Sequence, residues 1–251
     1  MVTAIILSGG SGTRINPDVP KQYIEVEGKM IIDYSLDVFI NCEAIDYFCI
    51  IADSKWRESL EEIISEKNKD KFIGFAEPGE HRQISIFNGL RYINTMFEGN
   101  ISDEDLVLIH DASRPNITCN MLMRYINGVG TSDYDNTSFD GVVPALSVKN
   151  YIYQSLDGEK ITGLLERDTL YSGQSPEVYM FKKYLKANEA LLPDRIKEIR
   201  GSAEPAFMAG MNILLVEGST RNYQITTQED LDRFVREQMN RNMLIKKTEA
   251  E

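Results

Sequence analysis

Thr3-Ala4-Ile5-Ile6-Leu7-Ser8-Gly9-Gly10-Ser11-Gly12-Thr13-Arg14, TAIILSGGSGTR, lies close to the start of the chain and sets its reading. Thr3–Ser8 reads as a buried strand, and the loop behind it carries Gly9, Gly10 and Gly12. Glycines in that position let backbone N–H groups approach an anion, because no Cβ stands in the way. Two familiar phosphate loops do not match. A Walker loop ends in Gly-Lys-Ser/Thr, whereas this one ends in Thr13-Arg14, and the dinucleotide fingerprint needs Gly or Ala where Ile15 stands. Glycines alone would serve a structural turn equally well. Two spaced cations follow, however: Arg14, and Lys21 in the triplet Pro20-Lys21-Gln22. A glycine loop with two fixed positive charges points to a triphosphate.

Outward from this loop, short apolar runs alternate with helical patterns. Tyr47–Ala52, Lys71–Ala76, Asp105–His110 and Phe139–Pro144 read as strands, and Asn212–Val216 as a late one. Trp56, Leu60, Ile63 and Ile64 recur at helical spacing behind Asp53 or Ser54 as a cap, and Ile84, Phe87, Leu90 and Ile93 make a second stripe. Such stripes form core and carry no chemistry. The alternation predicts an α/β fold, a Rossmann-like, mostly parallel twisted sheet with helices on both faces. From Val148 to Leu165 the rhythm breaks, and Asp157-Gly158 between two β-rich runs predicts a protruding hairpin. Thr226-Thr227-Gln228-Glu229 has the form of a capping box ahead of Leu231, Phe234 and Val235. The expected organisation is one domain over residues 1–240, with the hairpin arm at about 147–168 and a polar, fraying tail over 241–251.

Composition narrows the function classes. The chain has 251 residues, 42% of them hydrophobic, enough to bury a full core. With 27 Lys+Arg against 39 Asp+Glu, the net charge of -12 argues against a nucleic-acid partner. A small phosphorylated ligand is still allowed, since a pocket needs only a few local cations. Cys42, Cys49 and Cys119 form no CxxC or Cys/His cluster, so buried, reduced thiols in a cytoplasmic protein are expected, with neither disulfide framework nor zinc site. No run approaches the roughly 20 apolar residues of a membrane span, and no basic start or cleavage site opens the chain. The expectation is a soluble protein with no membrane partner.

Four further motifs follow in order: Gly79-Glu80-His81-Arg82-Gln83-Ile84-Ser85, His110-Asp111-Ala112-Ser113-Arg114-Pro115, Glu166-Arg167-Asp168, and Thr226-Thr227-Gln228-Glu229-Asp230-Leu231. Together with LSGGSGTR and Pro20-Lys21-Gln22 they resemble the signature of the cytidylyltransferase family that includes 2-C-methyl-D-erythritol 4-phosphate and ribitol-5-phosphate cytidylyltransferases. The resemblance runs from Met1 to about Phe234. It implies that CTP and an alditol phosphate give a CDP-alditol and pyrophosphate. It also implies a homodimer whose hairpin arms embrace, carrying Arg167 towards the neighbouring site.

By this resemblance the CTP site comprises Leu7, Ser8, Gly9, Gly10, Gly12, Gly79, Glu80, Arg82, Ser85 and Ala112, with Arg14 and Lys21 stabilising the transition state. The chemistry fits, because both reactants are anionic and charge builds on the α-phosphate oxygens. Asp111 stands where the apolar run LVLIH ends, and sheets of this kind bind ligands beyond the carboxyl ends of their strands. A carboxylate beside a triphosphate needs a cation, so Mg²⁺ is inferred there; a cap or loop carboxylate is the other reading. Glu80 can accept from the cytosine amine, and Ser85 or amides near Gly79 can donate to the ring oxygen. The family usually has a shorter carboxylate at Glu80, and Arg82 serves alternatively to order the loop. Arg114 is expected to brace its loop and His110 to be structural.

The acceptor half departs from the family. Ser147-Val148, with Lys149 next, stands where Asp-Thr is usual; Ser202-Ala203-Glu204 loses a carboxylate; and Gln224, in Asn222-Tyr223-Gln224-Ile225-Thr226, replaces a lysine that helps position the attacking phosphate. Glutamine hydrogen-bonds but carries no charge. The acceptor site is expected at Val148, Lys149, Arg167, Ser202 and Gln224, with Arg167 and Gln224 joining Arg14 and Lys21 as catalytic residues and Lys149 or Arg221 lending charge. The expected function is a CTP-dependent cytidylyltransferase acting on ribitol 5-phosphate or a related polyol phosphate for cell-surface polymer synthesis. Alternatives are the methylerythritol-phosphate enzyme of isoprenoid synthesis, a nucleotidyltransferase that uses another nucleotide, and a non-catalytic nucleotide-binding homologue.

Overall fold

A strand covered on both faces needs an apolar residue at nearly every position, and Val2–Leu7, strand β1, meets that demand. In the computed structural model, which describes all residues except 11, 13, 14, 68, 132–136 and 249–251 and the side chains of 69, 131 and 245–248, β1 is central. A short ribbon, β2 (Glu25–Val26) with β3 (Lys29–Met30), leads into helix α1 (Ile31–Asn41). Then come β4 (Tyr47–Ile51), α2 (Ser54–Ser65), β5 (Phe72–Ala76), α3 (Arg82–Met96), β6 (Leu106–Asp111) and α4 (Cys119–Ile126). This is the predicted alternation, and β1 pairs in parallel with both β4 and β6. Asp53 caps α2, its side chain accepting from the Lys55 amide at 3.1 Å.

The second half is less regular. After a small ribbon, β7 (Gly130–Thr131) with β8 (Ser138–Phe139), comes β9 (Gly141–Ser147), and then the arm, β10 (Ile152–Gln154) paired antiparallel with β11 (Gly163–Leu165). β12 (Tyr171–Gly173) and β13 (Glu177–Met180) follow, then α5 (Phe181–Glu189), α6 (Ala203–Met208), β14 (Ile213–Glu217) and α7 (Gln228–Thr248). The main sheet runs β12-β9-β13-β6-β1-β4-β5, with β14 also paired to β9. β13 lies antiparallel between β6 and β9, and β12 antiparallel on β9, so two reversed strands interrupt a mostly parallel sheet. β13 has four residues, too few to show a period, yet Val178 and Tyr179 are fully buried.

Alternation along β1 divides the core. Ala4 and Ile6 face a cluster with Leu36 and Phe39 of α1, Leu60 of α2 and Leu122 of α4. Ile5 faces the opposite cluster, with Ile86, Leu90 and Ile93 of α3 and Tyr184 of α5. The sheet is therefore sandwiched between two helical layers, and its strand ends are left free to carry a site.

Three expectations need correction. Cys42, the C-cap of α1, and Cys119, the first residue of α4, stand 5.4 Å apart at Cα and form a disulfide; their sequence separation of 77 gives no local signal. Cys49 alone is a free thiol, and burial pushes it up to about 12. The tail is helical rather than frayed from residue 241 as far as Thr248: no Gly or Pro interrupts it, and Asn242 donates to Glu27 Oε2 at 3.0 Å. The capping box is shifted by one residue. Thr227 precedes α7 and exchanges bonds with Asp230: the Thr227 amide donates to Asp230 Oδ2 at 2.9 Å, and the Asp230 amide to Thr227 Oγ1 at 3.2 Å. Among the described residues no helix is long and apolar enough to cross a membrane.

Candidate active site

At the carboxyl ends of β1, β5 and β6 a cavity of about 570 Å³ opens, a volume suited to a small ligand. It is lined by Leu7, Gly9, Gly10, Gly12 and Lys21 from the opening segment, Gly79–Arg82 and Ser85 from the start of α3, and Asp111, Ser113 and Gln224. Motifs more than 200 residues apart in sequence, Leu7 and Gln224, thus meet around one space.

The glycine loop is held by its neighbours. A Cβ on Gly9 would meet Pro78 Cβ at 2.5 Å, so the loop packs directly on the segment that leads to Gly79. Gln22, buried, donates from Nε2 to the carbonyls of Ser8 at 2.7 Å and Gly10 at 2.8 Å. This residue of the Pro20-Lys21-Gln22 triplet had no role assigned from sequence; its signal was its position beside Lys21. Ser85 likewise braces: its Oγ accepts from the Gly79 amide at 2.9 Å, closing the turn that exposes Glu80 to the cavity.

Arg82 and Asp111 form the charged centre. Arg82 donates to Asp111 Oδ1 from Nε at 3.2 Å and Nη2 at 2.9 Å, and Arg114 Nε lies 3.7 Å from Asp111 Oδ2. Burial alone would raise the Asp111 carboxyl, but these two guanidinium groups hold it below the usual carboxylate range. Arg114 also donates to the Asn222 carbonyl at 2.7 Å, tying the loop after β6 to the segment that carries Gln224. His110 is fully buried against Phe39, and burial pushes its imidazole down to about 3, so it is structural. Gln224 donates from Nε2 to Ser113 Oγ at 3.2 Å.

Several expected site residues lie elsewhere. Ser8 is buried, its hydroxyl donating to Tyr23 Oη at 2.7 Å, and Ala112 is buried too; both support the cavity wall rather than line it. Ser202 is buried behind Arg82, with its hydroxyl engaged by Arg82 and Glu177, so it is not free to bind an acceptor. Val148, Lys149 and Arg167 do not line the cavity of their own chain. Val148 donates its amide to the Leu170 carbonyl at 3.0 Å, and Arg167 pairs with Asp168 at 3.0 Å beneath the arm's Tyr151 ring. Arg14 lies outside the described residues. No three His, Cys, Asp or Glu side chains gather to hold a metal among the described residues. Asp111 as a lone carboxylate fits an ion such as Mg²⁺ that takes most of its shell from phosphates and water, not a protein cage.

A glycine loop at the end of the first parallel strand, a lysine behind it and a second loop lining the same cavity are the frame of a nucleotidyltransferase of α/β architecture. Comparison with known proteins makes it a cytidylyltransferase: the chain belongs to the 2-C-methyl-D-erythritol 4-phosphate cytidylyltransferase (IspD) family, whose model matches residues 2–235. Ribitol-5-phosphate cytidylyltransferase of Lactiplantibacillus plantarum is 30% identical over 92% of this chain and 95% of its own length. The 2-C-methyl-D-erythritol 4-phosphate cytidylyltransferase of Clostridium botulinum is 30% identical over 91% of this chain and 93% of its own. The crystal structure of the Francisella tularensis 2-C-methyl-D-erythritol 4-phosphate cytidylyltransferase superposes with a TM-score of 0.75 at 26% identity, covering 92% of this chain and 97% of that one. The relatives divide between two acceptors.

Proposed function

We propose that the chain transfers the cytidylyl group of CTP to an alditol phosphate other than methylerythritol phosphate, with ribitol 5-phosphate the leading acceptor. The observation that carries this reading is Gln224, an uncharged side chain on the wall of the cavity that the glycine loop, Lys21 and the Gly79–Arg82 segment also line. An amide both donates to and accepts from a hydroxyl, whereas a lysine ammonium only donates, which suits an acceptor that offers a hydroxyl at this position. Relatives at 30% identity include both a ribitol-5-phosphate and a methylerythritol-phosphate enzyme, so the choice rests on Gln224.

In the reaction, an oxygen of the acceptor phosphate attacks the α-phosphorus of CTP. The bond from that phosphorus to the bridging oxygen of the β-phosphate breaks, and its electron pair leaves with pyrophosphate. Backbone amides of Gly9–Gly12 and the side chains of Arg14 and Lys21 stabilise the added negative charge, and the Gly79–Ser85 loop orients the base. Asp111 would hold Mg²⁺, which neutralises phosphate charge when bound. We further propose a homodimer joined through the arms, which brings Arg167 to the partner's acceptor, and a cytoplasmic setting. The CDP-alditol is an activated donor suited to building a surface polymer.

The test is pyrophosphate release with CTP, magnesium and a panel of ribitol, arabinitol, glycerol and methylerythritol phosphates. Highest kcat/KM with ribitol 5-phosphate is expected; highest kcat/KM with methylerythritol phosphate overturns the acceptor assignment, and no release with any acceptor overturns the activity.

A further inference from the structure

Behind Arg82 lies a buried polar chain that the reaction as described does not use. Glu177 begins β13, the reversed strand beside β6, so it sits at the same end of the sheet as Asp111. Its carboxylate accepts from Ser202 Oγ at Oε1, 2.6 Å, and from Tyr179 Oη at Oε2, 2.5 Å. Ser202 Oγ in turn accepts from Arg82 Nη1 at 2.8 Å, and the Ser202 carbonyl accepts from Tyr184 Oη at 2.7 Å. Gln83, the residue after Arg82, donates to Tyr184 Oη at 3.2 Å and to Asn188 Oδ1 at 2.5 Å.

Burying a carboxylate is costly unless hydrogen bonds and a counter-charge compensate it. Here two hydroxyls supply the hydrogen bonds, and Arg82 supplies the nearby charge: burial pushes the Glu177 carboxyl above its ordinary value, and Arg82 offsets that only in part. One guanidinium is therefore gripped along two edges, by Asp111 at Nε and Nη2 and by Ser202 at Nη1. These bonds use three of the five N–H groups of an arginine and leave two, and Arg82 lines the cavity.

We propose that Glu177 is a positioning residue for nucleotide binding, acting through Ser202 to set the Arg82 guanidinium in the cavity. The proposal rests on the reading of this cavity as the CTP site. Without Glu177, the Ser202 hydroxyl loses the acceptor that fixes its lone pairs towards Arg82, and Arg82 is left held by Asp111 alone. Asp111 is the group a cation-bearing triphosphate would compete for, so the second grip keeps Arg82 in place while nucleotide binds.

The experiment measures CTP affinity by calorimetry with magnesium and no acceptor, alongside thermal unfolding, for the wild type, for Glu177→Met, Ser202→Ala and Ser202→Thr, and for the double variant Glu177→Met with Ser202→Ala. Glu177→Met and Ser202→Ala are each expected to weaken CTP by at least about fivefold, and the double variant no more than the worse single, because the two residues act in series. Ser202→Thr keeps the hydroxyl and is expected to restore affinity. A purely structural role would instead leave CTP affinity unchanged while unfolding shifts. Affinities within twofold of wild type in both variants, or full additivity in the double, overturn the proposal. If Glu177→Met does not fold, the contrast between Ser202→Ala and Ser202→Thr decides alone. If the wild type does not bind CTP, the reading of the cavity falls, a result distinct from bound CTP indifferent to Glu177.

Discussion

A Cβ added to Gly12 would stand 2.7 Å from the backbone nitrogen of Lys21, and Gly12 itself sits at φ +59°. The loop and the turn that presents the lysine are therefore in backbone contact, with no room for a side chain between them. Gly12→Ala imposes a strained backbone and pushes the lysine aside. Misplacing a catalytic group by about 1 Å costs roughly 100-fold. Gly12→Ala is accordingly expected to keep the far-UV circular dichroism of the wild type and to lose about that factor in kcat/KM for CTP. Turnover within threefold of wild type would show the contact to be incidental.

In the proposed reaction, Lys21→Ala and Arg14→Ala remove charge that is needed most as the α-phosphate becomes pentacoordinate. Each is expected to lower kcat by about 100-fold or more, with the KM for CTP changing less. Steady-state kinetics on the folded variants give the answer. An unchanged kcat with a raised KM would move that cation from transition-state stabilisation to ground-state binding.

The parallel half of the fold was legible because strands such as Val2–Leu7 are apolar at all but one position and their helices carry apolar stripes. The antiparallel insertion was not: Glu177–Met180 is too short to show a period, and only its place between β6 and β9 buries it. The same asymmetry holds at the site. Gly9, Lys21, Glu80, Arg82, Asp111 and Gln224 could be read from motif chemistry and do line one cavity. Gln22 and Glu177 could not, because their work is done on backbone carbonyls and a buried hydroxyl that only the folded chain brings near. Ser8, Ala112 and Ser202 show the converse: motif membership located them at the cavity wall but not which way they face.

The arm leaves Tyr151 at 74%, Leu156 at 93% and Leu164 at 73% exposed, an apolar surface that an isolated ribbon does not sustain in water. Sedimentation is expected to show a dimer at micromolar concentration, and Leu164→Arg with Tyr151→Glu to shift it to monomer. If the arm carries Arg167 into the partner's site, inactive Lys21→Ala and Arg167→Ala chains should complement on mixing. Equal mixing places one intact site in each mixed dimer, about a quarter of the wild-type activity. An active wild-type monomer would end the arm-exchange reading.

Asp230 Oδ2 accepts from the amides and hydroxyls of both Thr226 and Thr227, each at 2.9 Å. Burial would raise this carboxyl, yet the four donors hold it below its ordinary value. A lowered native pKa means stability that is present above the unfolded value of about 3.9 and is lost as pH falls through the native one. Asp230→Ala should cost about 1–2 kcal/mol at pH 7, with a fall in Tm of roughly 2–8 °C. The gap between wild type and variant should close progressively below about pH 4. A gap that persists unchanged at pH 3 would assign the loss to packing of α7 rather than to the ionised cap.

Gln224 stands beside Ser113, 3.2 Å from its hydroxyl, on the wall of the cavity. A lysine there would present a cation to the attacking phosphate, and the neutral amide presents only hydrogen bonds. Added charge strengthens the hold on any phosphate, so it alone does not change which polyol is preferred. Selectivity comes from hydroxyls that are paired or left unpaired, at about 1–3 kcal/mol each. Gln224→Lys is therefore expected to raise kcat/KM for methylerythritol phosphate and to lower it for ribitol 5-phosphate, whose hydroxyl partner is lost. The ratio of the two should move by about 10-fold or more in competitive turnover at fixed CTP. Equal gains for both acceptors would show that Gln224 faces only the phosphate, and that the polyol is chosen by residues elsewhere around the site.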